Sequence, residues 1–245
     1  MKGSLHNHSD WSDGRQSLEQ LIEDCIELGF GYWAVTDHSK SSFQANGLQV
    51  SRLEKQIETI RNLNEKLSQE NTPFRLLTGT EVDILSDGSL DFEDPVLAKL
   101  DVVVASIHQG FTQTKDQLTQ RLINAAENPY VHMLGHPTGR LLLEREAYPI
   151  DHVAVIEACA RTGTWIELNA SPYRLDMDWR WWRLAKEKGV KCVINCDAHH
   201  LDHASFLRLG AEHARKGWLS KTDIINTLPL DALMVELVGK REKSS

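Results

Sequence analysis

The sequence contains histidine and carboxylate residues whose spacing suits the binding of metal ions. His6 and His8 form a His-x-His pair, and Asp197 and His199 repeat this spacing near the other end of the chain. Side chains two residues apart in a strand point to the same face of the sheet, so each pair can direct two donors toward one site. Imidazole and carboxylate groups bind zinc, iron, manganese or nickel, and the ligand type alone does not choose among these metals.

Further candidate donors occur singly, each near the end of a short apolar segment. His38, Glu81, His108 and His136 close four such segments, and Asp13 lies in the loop after the first segment. A single histidine at a strand end is more often a hydrogen-bonded structural residue than a ligand. Five of the seven predicted strands end within three residues of a histidine, and this recurrence favours one shared site.

The segments that would position these residues alternate between strand-like and helix-like patterns. Strands are predicted at Gly3–His8, Tyr32–His38, Arg75–Ile84, Asp101–His108, Tyr130–His136, Thr164–Asn169 and Val190–Cys196. Apolar residues at helical spacing predict amphipathic helices at Ser17–Leu28, Val50–Leu67, Thr114–Glu127, Ile150–Arg161, Asp178–Lys188 and Leu201–Arg215. A terminal helix is predicted at Asp231–Val238, followed by a frayed polar tail at Gly239–Ser245.

This order of segments predicts an α/β fold, a seven-stranded (β/α) barrel of TIM type formed by a single domain over residues 1–245. The carboxyl ends of barrel strands open onto one face, so the candidate donors are expected to meet there. Asp37 and His38 are adjacent, and only one can point inward. We expect His38 to be the ligand and Asp37 to support it or to cap the loop. The other histidines fit no strand-end pattern and are expected on the surface or on helices: His132, His152, His200, His203 and His213.

Composition narrows the class of protein. The 245 residues include 35 acidic and 27 basic side chains, a formal charge of -8, which argues against a protein that coats nucleic acid with an extended basic surface. No apolar run approaches the roughly 20 residues that span a bilayer, and the N-terminus lacks the apolar segment of a signal peptide. We therefore expect a cytoplasmic location and no membrane partner. The four cysteines are expected to be buried free thiols.

Seven short motifs, in order along the chain, resemble those of the polymerase and histidinol phosphatase (PHP) family. They are His6-Asn7-His8, Ser12-Asp13-Gly14, Thr36-Asp37-His38, Gly79-Thr80-Glu81-Val82-Asp83, Ala105-Ser106-Ile107-His108, Gly135-His136-Pro137-Thr138-Gly139-Arg140 and Asp197-Ala198-His199. Their spacing is most similar to the PHP domain attached to bacterial family-X DNA polymerases, and the stretches Gly135–Leu142 and Glu167–Leu175 support this closer resemblance. No polymerase domain precedes Met1, so we expect a free-standing relative or an excised piece.

The resemblance implies a distorted seven-stranded barrel with a three-metal centre. The implied ligands are His6, His8, Asp13, His38, Glu81, His108, His136, Asp197 and His199. The implied cofactors are three divalent ions, with manganese and zinc as first expectations and iron as another. The implied activity is a metal-dependent phosphoric ester hydrolase, either a phosphomonoesterase or a phosphodiesterase. Its expected substrate is a phosphorylated small molecule, a nucleotide or a DNA 3′ end.

The expected mechanism is attack by a metal-bridging hydroxide on phosphorus. Three divalent ions would change the charge of the donor set from about -3 to about +3, which would attract a phosphate group. Glu81 is expected to bridge two metals, and Asp197 to ligate one ion and accept a proton. Arg140 offers a guanidinium fork for a phosphate oxygen, with a surface salt bridge as its alternative role. Lys40 is a weaker candidate contact, and Asn169 would either orient a substrate oxygen or cap a turn.

Two other functions fit parts of the pattern. An amidohydrolase-like metal barrel also begins with His-x-His after its first strand, but Glu81 and the later histidines fit the PHP order better. A non-catalytic module, whose metals stabilise the fold or a partner interface, would also bind ions. The complete set of donors favours an enzyme over that module.

Overall fold

The computed structural model describes the backbone of residues 1–243 and the side chains of residues 1–240. Within this part of the chain, the strands are β1 (Gly3–Ser4), β2 (Tyr32–Val35), β3 (Arg75–Asp83), β4 (Val102–Ser106), β5 (Met133–Leu134), β6 (Trp165–Asn169) and β7 (Cys192–Asn195). They pair in sequence order, and every pairing is parallel. A parallel bridge between Asn7 and Ala198 joins the segments that follow β1 and β7. The predicted seven-stranded α/β barrel is therefore confirmed.

Helices alternate with these strands. They are α1 (Leu18–Glu27), α2 (Val50–Gln69), α3 (Asp94–Leu97), α4 (Lys115–Glu127), α5 (His152–Thr162), α6 (Trp179–Glu187), α7 (Phe206–Lys216) and α8 (Leu230–Lys243). Short 3-10 helices occur at Phe43–Ala45, Leu201–Ser205, Lys221–Asp223 and Ile225–Thr227. The short α3 and the turn at Phe43–Ala45 were not predicted. Across residues 1–243, no helix is both long enough and apolar enough to cross a membrane.

Two apolar layers hold the barrel. The larger lies between the sheet and the surrounding helices and includes Leu18, Ile60 and Leu122. The smaller layer fills the barrel at the amino ends of the strands. There Leu233 and Leu237 of α8 pack with residues at the start of the strands, such as Tyr32. Because α8 closes that end, the carboxyl ends of the strands form the open mouth.

The C-terminal helix is longer than the sequence indicated. The prediction ended it at Val238 and left Gly239–Ser245 frayed, whereas α8 continues to Lys243. Burial explains the difference, since Lys240 lies one turn beyond Leu237 and is also buried. The last two residues of the predicted tail, 244–245, lie outside the described residues.

Candidate metal centre

The nine predicted donors are gathered at the mouth of the barrel. They form four overlapping groups, and within each group the candidate ligand atoms all lie within 4.8 Å of one another. The groups are His8, Asp13, His38 and His199; His6, His8 and Glu81; His6, His136 and Asp197; and His38, Glu81 and His108. Seven of the nine donors, all except His6 and His8, line a cavity of about 310 Å³. The structure therefore brings together all nine residues that the family resemblance implied as ligands.

Most of these donors lie just beyond the regular strands. β1 ends at Ser4 and β5 at Leu134, shorter than predicted, so His6, His8 and His136 occupy loops. His136 and Asp197 have positive φ angles of 26° and 51°, a conformation that side-chain-bearing residues rarely adopt. Such backbone geometry is concentrated at functional sites, where the surrounding structure holds it in place.

Glu81 lies at the centre of the cluster. Its Oε1 is 2.9 Å from His136 Nε2, 3.2 Å from His108 Nε2 and 3.3 Å from His6 Nε2. Its Oε2 is 3.0 Å from His38 Nδ1. The two oxygens therefore face different sets of imidazoles, an arrangement in which one carboxylate can serve two ions.

Several buried atoms of the cluster have no hydrogen-bond partner among the described residues. They are His6 Nε2, His8 Nδ1, His38 Nδ1, His136 Nδ1 and Glu81 Oε2. His38 Nδ1 and Glu81 Oε2 lie 3.0 Å apart, but their geometry is not that of a hydrogen bond. A buried polar atom without a partner costs free energy, and native proteins rarely leave one unpaired. Because these atoms lie among other candidate donors, the cluster has the chemistry of a site that binds cations.

Two carboxylates that the sequence analysis missed support the cluster from behind. Glu167 lies 2.7 Å from His6 Nδ1 and accepts a 2.7 Å hydrogen bond from the backbone N–H of His136. Asp83 is hydrogen-bonded to His108 Nδ1. A carboxylate on one ring nitrogen of a histidine fixes the tautomer and turns the other nitrogen toward a metal. Glu167 could have been singled out from the sequence, because a charged residue within a buried strand such as β6 needs a partner.

The electrostatics show an excess of negative charge. Burial lowers the pKa of His6, but Glu167 and Glu81 outweigh it and raise that pKa well above its ordinary value. Burial also lowers the pKa of His108, yet Glu81 and its other carboxylate partner raise it to about 10. Burial would raise the pKa of Glu81, but the surrounding imidazoles hold it well below its usual range. The carboxylates therefore favour positive charge at His6 and His108, whereas burial and the neighbouring His38 lower the pKa of His8 to about 4.

Asp37 holds the loop that carries Asp13. It accepts hydrogen bonds from the backbone and hydroxyl of Ser9, from the hydroxyl of Ser12 and from Gln56. Gly14 lies in the same loop, and its backbone is so close to His8 that a Cβ there would lie 2.5 Å from the His8 carbonyl. The structure agrees with the expectation that His38 points into the cavity while Asp37 supports a loop.

Among the expected substrate contacts, Arg140 takes the salt-bridge role that was its alternative. Arg140 does not line the metal cavity; its guanidinium donates to the carbonyls of Arg174 and Leu175 and pairs with Asp178 at 3.0 Å. Lys40 likewise lies outside the cavity lining, with Nζ 5.9 Å from the centre of the Phe92 ring. Arg140 therefore contacts Asp178 and Lys40 contacts Phe92, and neither side chain lies at the metal cavity.

Asn169 performs the turn-capping role that was one of its two predicted alternatives. Its Oδ1 accepts a hydrogen bond from the backbone N–H of Ser171. Its Nδ2 donates to Asp197 Oδ2 at 3.1 Å, so it also positions a member of the cluster. Its side chain is fully buried.

Two other arginines line the cavity instead. Arg174 Nε lies 3.7 Å from Asp197 Oδ2, and its Nη1 is a buried atom without a hydrogen-bond partner among the described residues. Arg145 stacks over the Phe111 ring at 4.5 Å and donates to the Gly139 carbonyl. Their positions depend on loop conformation, which strand and helix patterns do not predict.

The remaining predictions for histidine and cysteine are confirmed with one exception. His152 and His213 lie on helices, and all four cysteines are buried and free. His132 was expected on the surface or a helix but is completely buried beside β5. Its Nδ1 accepts a hydrogen bond from the backbone N–H of Val103, which lets the barrel interior hold this ring.

Comparison with known proteins extends these observations. The PHP domain model matches residues 4–237. This chain belongs to the PHP domain family. It is 44% identical over 230 residues to the DNA polymerase/3'-5' exonuclease PolX of Bacillus subtilis (strain 168), an alignment covering 94% of this chain and 40% of that protein. The chain thus spans two fifths of the length of this relative. A probable phosphatase of Thermoanaerobacter sp. (strain X514) is 30% identical over 196 residues, 71% of this chain and 76% of that protein.

Solved structures confirm the fold. The histidinol phosphate phosphatase of Lactococcus lactis, solved with zinc, L-histidinol and phosphate, superposes with a TM-score of 0.64 at 15% identity. That alignment covers 89% of this PHP-domain chain and 94% of the other. A putative histidinol phosphatase of Listeria monocytogenes gives a TM-score of 0.60 at 13% identity, covering 82% and 96%.

Proposed function

We propose that this PHP domain is a metal-dependent hydrolase of phosphate esters. The observation that carries the proposal is the gathering of nine nitrogen and oxygen donors in one cluster, with buried ring nitrogens that have no hydrogen-bond partner among the described residues. The phosphatases among its relatives and structural neighbours support the same reaction class.

The proposed cofactors are three divalent ions, manganese, zinc or iron, held by the nine donors. The zinc bound to the Lactococcus lactis phosphatase supports a divalent metal. When bound, such ions lower the pKa of water toward 7 and neutralise charge on phosphoryl oxygens. Counting Glu167 and Asp83, the site contains five carboxylates, so three divalent ions leave a net charge near +1 rather than the +3 expected from the nine donors alone.

Glu81, Asp197 and Arg174 are each proposed to have a separate role in holding the ions or the substrate. Glu81 is proposed to hold two ions, because its oxygens face different imidazoles. Asp197 is proposed to hold one ion and to accept a proton, with its other oxygen fixed by Asn169. Arg174, whose Nη1 has no partner among the described residues, replaces Arg140 as the proposed contact to a phosphate oxygen.

The proposed substrates include phosphodiesters at nucleic-acid ends. The exonuclease named for the Bacillus subtilis relative acts on such ends, and 94% of this chain aligns with it. A nucleotide or phosphorylated small molecule is the alternative substrate within the same reaction class.

Hydrolysis of p-nitrophenyl phosphate and its bis-ester, with manganese added, tests the reaction. We expect His8→Ala to lose activity by about three orders of magnitude, since residues acting at the reacting centre contribute factors of this size. The matched control is His200→Ala, which removes a half-buried histidine beside His199 that belongs to none of the four donor groups. It should stay within about twofold of the wild type.

A different result would overturn the proposal. Turnover of amides with none of phosphate esters would indicate an amidohydrolase. Metal binding without turnover of any ester or amide would indicate a module whose ions only stabilise the fold. Where both esters are hydrolysed, preference between the monoester and the bis-ester distinguishes a phosphatase from a diesterase.

A further inference from the structure

One arginine on the wall of the metal cavity differs from its neighbours in its partners. Four arginines line either this cavity or a second cavity of about 450 Å³ beside it: Arg140, Arg145, Arg174 and Arg180. Arg140 and Arg180 are paired with Asp178. Arg174 lies 3.7 Å from Asp197. For Arg145, no carboxylate oxygen of residues 1–240 lies within 4.0 Å of the guanidinium nitrogens, so its charge is left for an anion from outside the chain.

The Arg145 guanidinium is held in a fixed position. Its Nε and Nη2 both donate to the carbonyl of Gly139, at 3.0 and 2.7 Å, which leaves Nη1 without a hydrogen-bond partner in the described part of the chain. The guanidinium lies 4.5 Å from the centre of the Phe111 ring, which is itself stacked on Tyr148. Gly139 packs against the same tyrosine, where a Cβ would lie 2.4 Å from a ring carbon. A side chain held in this way loses little conformational entropy on binding a ligand.

Arg145 stands where the two cavities meet. It lines both of them, as does Leu141. Arg174 lies beside Asp197, a member of the donor cluster, whereas Arg145 is paired with none of the nine donors. A phosphate at the ions would therefore contact Arg174, and Arg145 is left for a group farther along a substrate that extends into the second cavity.

We propose that Arg145 binds a second phosphate of the substrate, next along the substrate to the phosphate that is hydrolysed at the metal centre. This proposal rests on the proposed function and narrows the substrate class to phosphodiesters that carry a further phosphate, as a nucleic-acid strand does. A guanidinium binds phosphate oxygens through charge-assisted hydrogen bonds. Burial and the positive charge of Arg174 lower the pKa of Arg145, and a second anion beside Arg145 would offset that repulsion.

The test compares three thymidine dinucleotides: d(TpT), d(pTpT) with a 5′ phosphate, and d(TpTp) with a 3′ phosphate. Initial rates of hydrolysis of the internal phosphodiester are measured with manganese by chromatography of the products. For the wild type, we expect kcat/KM for one of the two phosphorylated dinucleotides to exceed that for d(TpT) by about tenfold, the effect of one charged hydrogen bond at a partly exposed site. This preference should shrink as salt is added, because ions screen exposed charges.

Substitutions of Arg145 test whether this side chain is the source of the preference. Arg145→Gln should bring the ratio close to 1, because the rate with the phosphorylated dinucleotide falls more than the rate with d(TpT). Arg145→Lys keeps the charge and should retain part of the ratio. The matched control is Arg161→Gln, which removes the same charge from an exposed arginine that is paired with Glu127 and lines neither cavity, and it should leave the ratio unchanged.

A wild-type ratio near 1 for both phosphorylated dinucleotides overturns the proposal, and so does a preference that persists in Arg145→Gln. Equal slowing of all three dinucleotides in that variant also overturns it, because Arg145 would then contact the hydrolysed phosphate. If no dinucleotide is cleaved, calorimetry compares their affinities for the manganese-loaded protein, and the same ratios decide. Hydrolysis of the small bis-ester is measured in parallel. Bis-ester hydrolysis without an Arg145-dependent preference rejects this proposal alone, whereas an Arg145-dependent difference in affinity without hydrolysis of any ester rejects the proposed function alone.

Discussion

At the scale of single residues, the donor cluster depends on groups that do not face the cavity. Glu167 is fully buried and bound to His6, the His136 backbone and Asn195. These contacts determine which ring nitrogen of His6 is free to bind an ion. The geometry of the cluster is therefore set as much by its supporting carboxylates as by the donors themselves.

Glu167→Gln is expected to weaken metal binding by about 10- to 100-fold, because an amide orients the His6 ring less strongly than a carboxylate. Calorimetric titration of manganese into metal-free protein measures the change. Glu157→Gln is the matched control, since Glu157 is exposed and paired with Lys188. Unchanged affinity in Glu167→Gln, with the fold intact by circular dichroism, would show that the carboxylate only fills space.

Arg140, in the loop after β5, and Arg174, in the loop after β6, are expected to respond differently to substitution. Arg174→Gln should raise KM for the chromogenic phosphate ester by about 10- to 150-fold, as expected for loss of one charged hydrogen bond worth about 1.5–3 kcal/mol. Arg140→Gln should instead lower the free energy of unfolding by about 1–3 kcal/mol, because it removes the hydrogen-bond and ion-pair partners of half-buried groups in the 174–178 loop. Steady-state kinetics and urea unfolding measure these effects. The reverse pattern would restore Arg140 as the substrate contact.

The sequence could predict that these donors gather, because most lie at or near the end of a strand-like segment and all such segments of a parallel barrel end at one rim. The family resemblance supplied the complete set of nine. The sequence could not predict the partner of Arg140. A long arginine side chain reaches many positions, and its direction depends on loops that include left-handed residues such as Leu143 and Leu175. Asp83 was visible two residues after Glu81, but spacing alone did not show that it binds His108.

At the scale of elements, the largest differences from prediction lie at strand and helix ends. Hydrophobic patterns continued through His8 and His136, yet the regular strands end at Ser4 and Leu134. At His136 the backbone N–H donates to the side chain of Glu167 and not to a neighbouring strand. The same reason applies to α8, whose polar end looked frayed although Lys240 is buried. Tertiary contacts of this kind override local patterns and cannot be deduced from them.

Substitutions at Gly239 test whether α8 continues beyond Val238. A Cβ at Gly239 would meet nothing within 4 Å, so Gly239→Ala should raise the free energy of unfolding by about 0.5–1 kcal/mol through helix propensity. Gly239→Pro should lower it by about 3 kcal/mol if the helix interior is required. Urea unfolding of both variants measures the changes. Two neutral substitutions would mean that this segment is frayed, as its polar sequence suggested.

At the scale of the whole molecule, the barrel keeps its buried carboxylates at one end, away from the apolar layer at the other. α8 and its apolar layer close one end, so the buried carboxylates face a single open mouth. The chain has a formal charge of -8, and three divalent ions would reduce it to about -2. Repulsion among buried carboxylates opposes folding unless cations or protons balance it, so metal binding and folding are expected to be coupled.

Removal of metal is therefore expected to destabilise the protein. Treatment with a chelator followed by dialysis should lower the melting temperature, and added manganese should restore it. Above saturation, each tenfold increase in free manganese should add about 1.4 kcal/mol per ion to the free energy of unfolding, since the ions bind the folded state alone. Scanning calorimetry at fixed pH measures this dependence, and His8→Ala should reduce its slope while His200→Ala leaves it unchanged. If the stability of the wild type were independent of manganese, the barrel would form without the ions and its cluster would be balanced by protonated imidazoles, as the raised pKa values of His6 and His108 allow.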